Sequence, residues 1–281
     1  MDILTELPVE QWPVLQEKLK KLWPLNLPGY CALYLNLKYP EVREAFQFKV
    51  YCPGGDTDNG FIGLNTVGDQ ACIMFSISED TSKLEEALLN TKRLDWDTKI
   101  CFDLLTSLTV LVFDRIRSQM HFEKSDKGTA KMFCLEGTTE CFSDLRLPEN
   151  TCLSAVKPED IQYVDDTWPY KHQASHHYFS TLAANGLSYG LYSSTTNELL
   201  AWVFINEYCF LCHLHCKEGF RKRGYGDYVM KCAVNDLLKD GTDVYAYVVH
   251  GNDKPLSIFK RLGFKHVDES AFSFVEKRIF K

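Results

Sequence analysis

Residues 208–238 constrain this chain more tightly than any other stretch, because three signals follow one another there in a fixed order. An apolar, strand-like run at 208–216 leads into the loop Arg221-Lys222-Arg223-Gly224-Tyr225-Gly226, and residues 227–238 then repeat apolar side chains at helical spacing. Strand, glycine loop and helix together make an anion cradle. Glycines let the backbone approach a phosphate, and the first N–H groups of the helix point at it with the positive end of the dipole behind them. Three cations beside the loop strengthen that expectation.

The 281-residue length points to two domains, expected at 1–145 and 150–281. A hydrophobic fraction of 45% with 18 Phe, 14 Tyr and 5 Trp is ample for packed cores. The formal charge of −7 excludes nucleic acid as the main partner, since the phosphate backbone calls for a broad basic excess; a small anionic ligand needs only a local patch. No apolar run reaches the ~18–20 residues of a membrane span, so no membrane partner is expected. Residues 1–6 have neither the apolar core of a secretory signal nor the Arg-rich character of a transit peptide, and the eleven Cys are an odd number scattered through apolar segments. Both features point to reduced thiols in a cytoplasmic protein.

Along the chain, residues 10–23 read as an amphipathic helix stopped by Pro24. Residues 30–37 alternate, with Cys31, Leu33, Leu35 and Leu37 on one side, and read as a strand, as do Phe46, Phe48 and Val50. Residues 53–60 read as an exposed hairpin loop, 71–76 as a strand, 82–93 as a helix and 95–111 as helical, with 110–113 ambiguous. Asp126-Lys127-Gly128 reads as a turn, 130–135 as a strand and 136–150 as a linker. Beyond it come a strand at 152–156, a helix begun by Pro158, and a helix capped by Ser175 and ended at Asn185-Gly186. A hairpin at 187–206, the 208–216 strand, the loop and its helix, a strand at 244–249, a helix at 254–262 and an edge strand at 272–275 complete a mixed α/β pattern.

These residues resemble the GNAT-fold N-acyltransferases. Their coenzyme A signature, Arg or Gln, two residues, Gly, one residue, Gly, is matched by Arg221, Gly224 and Gly226. A second element, an Asn after the next strand and a helix ending Leu-Gly-Phe, is matched by Asn252 and Leu262-Gly263-Phe264. Within the superfamily the chain is similar to the glycine N-acyltransferase-like group, with Trp202, Arg221, Gly224, Asn252 and Gly263 at that group's spacings. The likeness runs over 156–264; the N-terminal half shares only length and element order, and is expected to be a mixed α/β domain, possibly a degenerate copy. The resemblance implies acyl-CoA as cosubstrate, without a metal, and a small amine or amino acid as acceptor. Its implied contacts with coenzyme A are Leu214, Cys216, Arg221, Lys222, Arg223, Gly224, Tyr225, Gly226, Asp227, Asn252 and Phe259. Residues 214–216 would splay from the next strand and pair with the pantetheine amides.

Amide formation requires a base for the amine and an acid for the thiolate. At the positions where the resembled enzymes carry a Glu and a Tyr, this chain has Phe210 and Phe259. His250 and Tyr208 are the substitutes expected, with Glu207 beside them acting through water. His213 and His215 are similar to paired strand histidines of arylalkylamine acyltransferases, but those fall at positions matching Phe210 and Cys212, and the odd offset places His213 and His215 on the opposite face of a regular strand. Cys209-Phe210-Leu211-Cys212-His213 also spells a haem-attachment pattern, which a strand cannot converge on one metal or porphyrin. The rival to an acyltransferase is therefore a catalytically weak acyl-CoA-binding module. A histone or other protein acetyltransferase fits less well, because an acidic chain is ill suited to steer a Lys-rich tail.

Overall fold

The computed structural model describes residues 2–67, 70–252 and 254–277. The chain divides into two compact units: residues 1–132 with 248–253 and 266–281, and residues 133–247 with 254–265. In the first half the order is β1 (Leu4–Glu6), α1 (Trp12–Leu19), α2 (Leu27–Lys38), α3 (Pro40–Ala45), β2 (Lys49–Pro53), β3 (Phe61–Asn65), β4 (Gln70–Phe75), α4 (Ser82–Asn90), β5 (Ile100–Leu105), α5 (Thr109–Met120) and β6 (Phe122–Leu135). The second half runs β7 (Thr151–Ser154), α6 (Ile161–Asp166), α7 (Ser175–Ala184), β8 (Ser188–Ser193), β9 (Leu199–Ile205), β10 (Phe210–Cys216), α8 (Tyr225–Lys239), β11 (Val244–Val249), α9 (Leu256–Arg261) and β12 (Lys265–Lys277).

The two units repeat one plan. Strands β1 to β4 pair antiparallel in sequence order and β4 pairs parallel with β5; β7 to β10 pair antiparallel and β10 pairs parallel with β11. A helix crossover separates the parallel strands each time, α4 in one unit and α8 in the other. In the first unit, Leu84, Leu88, Phe102, Val112, Phe113 and Ile116 form one buried cluster. In the second, the fully buried β9 is the centre against which Phe179 of α7 and Val229, Ala233 and Leu237 of α8 are also buried.

Several expectations from the sequence change. Residues 30–37 lie in α2, where Leu27, Cys31 and Leu35 recur at i, i+4 and i+8 and are buried together with Pro28 and Ala32. A helix enclosed on nearly all sides loses the polar positions that distinguish its period from a strand's. Residues 100–105, expected to be helical, form β5, because a parallel strand covered on both faces reads as a continuous apolar run. The run 110–113 is helical. Asp126-Lys127-Gly128 lies inside β6: Gly128 serves close packing, since a Cβ there would meet the Phe272 ring at 2.1 Å. The last strand is no edge, for β12 pairs antiparallel with β5 through Ala271↔Leu105 and Val275↔Ile100.

Ser175 opens α7 without capping it; its hydroxyl bonds the buried Asp165 carboxylate and the His172 carbonyl, which ties the 167–174 loop to both helices. Nor is 136–150 a free linker. The Asn235 side chain accepts from the Phe142 N–H (2.7 Å) and donates to its carbonyl (2.9 Å), and Lys231 bonds Asp144. One amide side chain thus satisfies both backbone groups of Phe142, as a neighbouring strand would. Asn235→Ala should cost ~1–3 kcal/mol in urea unfolding and expose 136–150 to proteolysis; unchanged stability and cleavage would show the segment to be held otherwise.

Candidate functional site

The centre of the second unit is strand β10. Asn206 builds the hairpin leading into it: its side-chain oxygen accepts from the N–H groups of Tyr208 and Phe210, both at 3.0 Å, while Cys209 turns at φ +69°. Pairing with β11 then covers only Phe210↔Tyr245 and Leu211↔Ala246. Beyond Leu211 the strand keeps its antiparallel partner β9, through Cys212↔Phe204, His215↔Trp202 and Cys216↔Ala201. Although β10 lies between two strands, six of its seven residues retain partial exposure, Leu211 being the exception; every residue of β9 is buried. Loss of one partner and access along the strand's length together define a cleft.

A bulge reshapes the strand. His213 has φ +49°, and the register with β9 shifts between Cys212 and His215. An extra residue of this kind puts two successive side chains on one face. Cys212 bonds Tyr178 of α7, His213 packs 5.1 Å from Phe179 of α7, and His215 stacks 4.5 Å over Trp202. The expectation that His213 and His215 face away from Cys212 is therefore corrected: the bulge absorbs the odd offset. The His213 Nε2 lies 2.8 Å from the Val164 carbonyl, which only accepts, so the neutral ring donates from Nε2 and keeps its lone pair on Nδ1. Burial drives its pKa down to about 4. Burial, with Arg221 and Lys217 nearby, also lowers that of His215.

At the end of β10, the Arg221 Nε donates to the Cys216 carbonyl (3.1 Å), folding the loop back on the strand. Lys222 (φ +62°) and Gly224 (φ +80°) both take left-handed conformations, the second as the residue preceding α8. Gly224 accepts from the Tyr228 N–H at 2.9 Å, so the N–H groups of Tyr225, Gly226 and Asp227 precede the first helical bond and are offered outward. Arg221, Lys222, Arg223 and Gly224 are exposed. Asp227 pairs with Arg261 and Lys231, which offsets its charge beside an anion. Leu214 lies beside Gly226, at ordinary contact distance (3.9 Å) from where a Cβ would stand. Phe220 and Tyr225 stack at 6.4 Å, and the Arg223 guanidinium lies over Phe220.

The remaining sequence candidates lie in both units. Tyr208 is buried at 2% exposure, its carbonyl taking the Tyr245 hydroxyl. Phe259 is buried between Phe133 and Phe264. His250 and Asn252 belong to the first unit; the His250 Nε2 bonds Glu269 at 2.9 Å, and Asn252 closes a turn onto the Val249 carbonyl. Sequence reasoning missed the wall of the cleft, Tyr178 with Trp168, for which the cluster of aromatics at 163–179 is the signal. Among the described residues, no three His, Cys, Asp or Glu side chains are grouped to hold a metal ion, and no helix is long and apolar enough to cross a membrane.

The first unit repeats the parting of the strands, since β4 pairs with β5 only as far as Cys72↔Phe102, but not the access or the loop. Its corresponding strand, β4, is buried from Cys72 to Phe75. The loop after it, Ser76-Ile77-Ser78-Glu79-Asp80-Thr81, has no glycine and no cation, and the Asp80 carboxylate accepts from the Ser82 N–H at the start of α4 (2.9 Å). An internal anion fills the place that the second unit leaves open.

Known proteins share this architecture. Residues 188–273 match the family model described as FR47-like protein, and residues 3–116 match a domain of unknown function, DUF5645. A search of curated proteins gave no match. The X-ray structure of a Drosophila protein is similar at a TM-score of 0.85 and 19% identity, over 98% of this chain and 99% of that one. A tandem GNAT protein from the clavulanic acid biosynthesis pathway is similar at 0.55 and 12%, over 99% of each chain. A GCN5-related N-acetyltransferase from Kribbella flavida is similar at 0.53 and 11%, over 88% of this chain and 95% of that one. The chain thus has a mixed α/β fold of the GNAT type in two units, with residues 188–273 similar to the FR47-like model.

The neutral His213 makes folding pH-dependent. Its pKa falls from the usual 6.5 to about 4, so between these values the unfolded chain binds the extra proton. Stability is then full above 6.5 and is lost as pH falls towards 4, by about 3 kcal/mol at ~1.4 kcal/mol per pKa unit. Urea unfolding at pH 7 and pH 4.5 should show this loss in the wild type and a smaller one in His213→Gln; identical slopes would remove His213 as its source.

Proposed function

We propose that the second unit transfers an acyl group from acyl-CoA to the amine of a small acceptor. The observation that carries this reading is the half-open strand β10, which loses its β11 partner after Leu211 and runs directly to the glycine loop and the N-terminus of α8. The pyrophosphate would meet the amides from Arg223 to Asp227, with Arg221 and Lys222 supplying charge. The pantetheine would use the unpaired edge of β10 from Cys212 to Cys216 as an added strand does, beside Leu214 and Cys216. A backbone N–H near the bulge would polarise the thioester carbonyl. In the resembled glycine N-acyltransferase-like group the acceptor is an amino acid, and glycine is the first acceptor to test.

Phe210 and Phe259 support a second reading, an acyl-CoA-binding module without turnover. Phe210 packs against Tyr245 and Tyr247, and Phe259 stacks on Phe133; neither ring can move a proton. Thiol release from acetyl-CoA and longer acyl-CoA donors, with glycine and simple primary amines as acceptors, separates the two. Stabilisation by acyl-CoA without thiol above the uncatalysed rate would leave only the binding module. Gly224→Val, forced to hold φ near +80°, should abolish thermal stabilisation by coenzyme A; an undiminished shift would place the ligand elsewhere.

A further inference from the structure

The cleft contains a buried acid that acyl transfer, as described above, does not use. Glu207 sits in the hairpin that starts β10 and is 9% exposed. Its carboxylate is hydrogen-bonded to the hydroxyl of Tyr178, and the same hydroxyl bonds Cys212. Cys212 is the first residue of β10 beyond the last β11 pair, so the Tyr178 hydroxyl lies where the two strands begin to part. Tyr178 and Cys212 are deeply enclosed yet keep some solvent contact, as groups lining a narrow crevice do.

Both members of the pair are held in place. The Tyr178 ring stacks on Trp168 at 5.9 Å and 9° and packs edge-on against Phe179. The backbone that carries Glu207 is fixed by Asn206, whose side-chain oxygen accepts from the Tyr208 and Phe210 N–H groups just beyond it. Burial and the neighbouring carboxylate push the Tyr178 phenol well above its usual range, so it stays protonated and can pass a proton on. The competing group, His213, keeps a lone pair on Nδ1, but burial lowers its pKa to about 4 and makes it a weak proton acceptor.

We propose that Glu207, acting through the Tyr178 hydroxyl, is the proton acceptor for the amine that attacks the acyl thioester; this rests on the acyl-transfer reading above. The incoming ammonium gives one proton to the Tyr178 oxygen while the Tyr178 proton passes to Glu207. The freed lone pair forms the C–N bond, and the C–S bond breaks with its electron pair on sulfur. The proton then lost from nitrogen ends on that sulfur as coenzyme A thiol, and Glu207 returns its proton to water. The titratable groups around the pair are Cys212 of β10 and Tyr208 of the hairpin. The function is thus displaced from Phe210 to a carboxylate three residues earlier.

The test uses the full chain, with Glu207→Gln and Tyr178→Phe assayed for acetyl-CoA binding by calorimetry and for thiol release with glycine and primary amines. Both variants should bind acetyl-CoA within about 2-fold of wild type and lose ~100-fold or more in kcat, the double variant losing no more than the worse single one. In Glu207→Gln the rate should also climb about 10-fold per pH unit below the amine pKa, as free amine replaces the missing acceptor, while wild type changes less. Should Glu207→Gln fail to fold, Tyr178→Phe carries the same expectations. Wild-type kcat and pH profile in the variants would overturn the assignment while leaving acyl transfer intact. A wild type that binds acetyl-CoA but acylates no amine would overturn both.

Discussion

Everything distinctive in the second unit depends on where one row of hydrogen bonds stops. A backbone N–H or C=O inside a sheet must find a partner, and β10 gives up its β11 partners after Leu211 while remaining anchored to β9. The bulge at His213 alters the strand's course just past that point. From this follow the partial exposure of a central strand, the gathering of Cys212, His213 and His215 on the α7 side, and a row of backbone groups suited to an extended amide-bearing ligand. The glycine loop alone would hold a phosphate. Only with the unpaired strand edge does it become a site for a long molecule that carries one.

The two halves show what the same topology does with that edge covered and with it accessible, for β4 also stops pairing with β5, at Cys72↔Phe102. In the first unit β4 is buried through its last four residues, and Asp80 bonds the amide at the start of α4. In the second, the corresponding helix begins with a left-handed glycine and three exposed cations. Strand order, pairing sense and crossover helix are alike; the difference lies in a few side chains at the turn. Fold and site are separable properties here, and the site belongs to one copy.

Legibility in the sequence followed the range of the interactions. The loop 221–226 could be read because glycine, cation and helix onset are local signals, and so could the hairpin β8–β9 and the helix α8. The helix α2 was obscured because Cys31, Leu33 and Leu35 satisfy a period of two as well as burial on all sides. The bulge left no mark, since a histidine rather than a glycine holds the positive φ at 213. The pairing of β12 with β5 joins Val275 to Ile100 across most of the chain, and no local pattern encodes such a partner. The Tyr178–Glu207 contact was hidden for the same reason: helix α7 and the hairpin meet only in the folded unit.

The place of β12 also sets an order of assembly. The first unit begins at the N-terminal end, yet one neighbour of its parallel strand β5 is supplied by residues 266–277. Every residue of the second unit is therefore synthesised before the first can close its sheet. A chain growing from its N-terminus must carry an open β5 edge through that interval. The half without the anion cradle is the one that waits longest to become a finished domain, and the half with the cleft has all its residues in hand while the first unit is still incomplete.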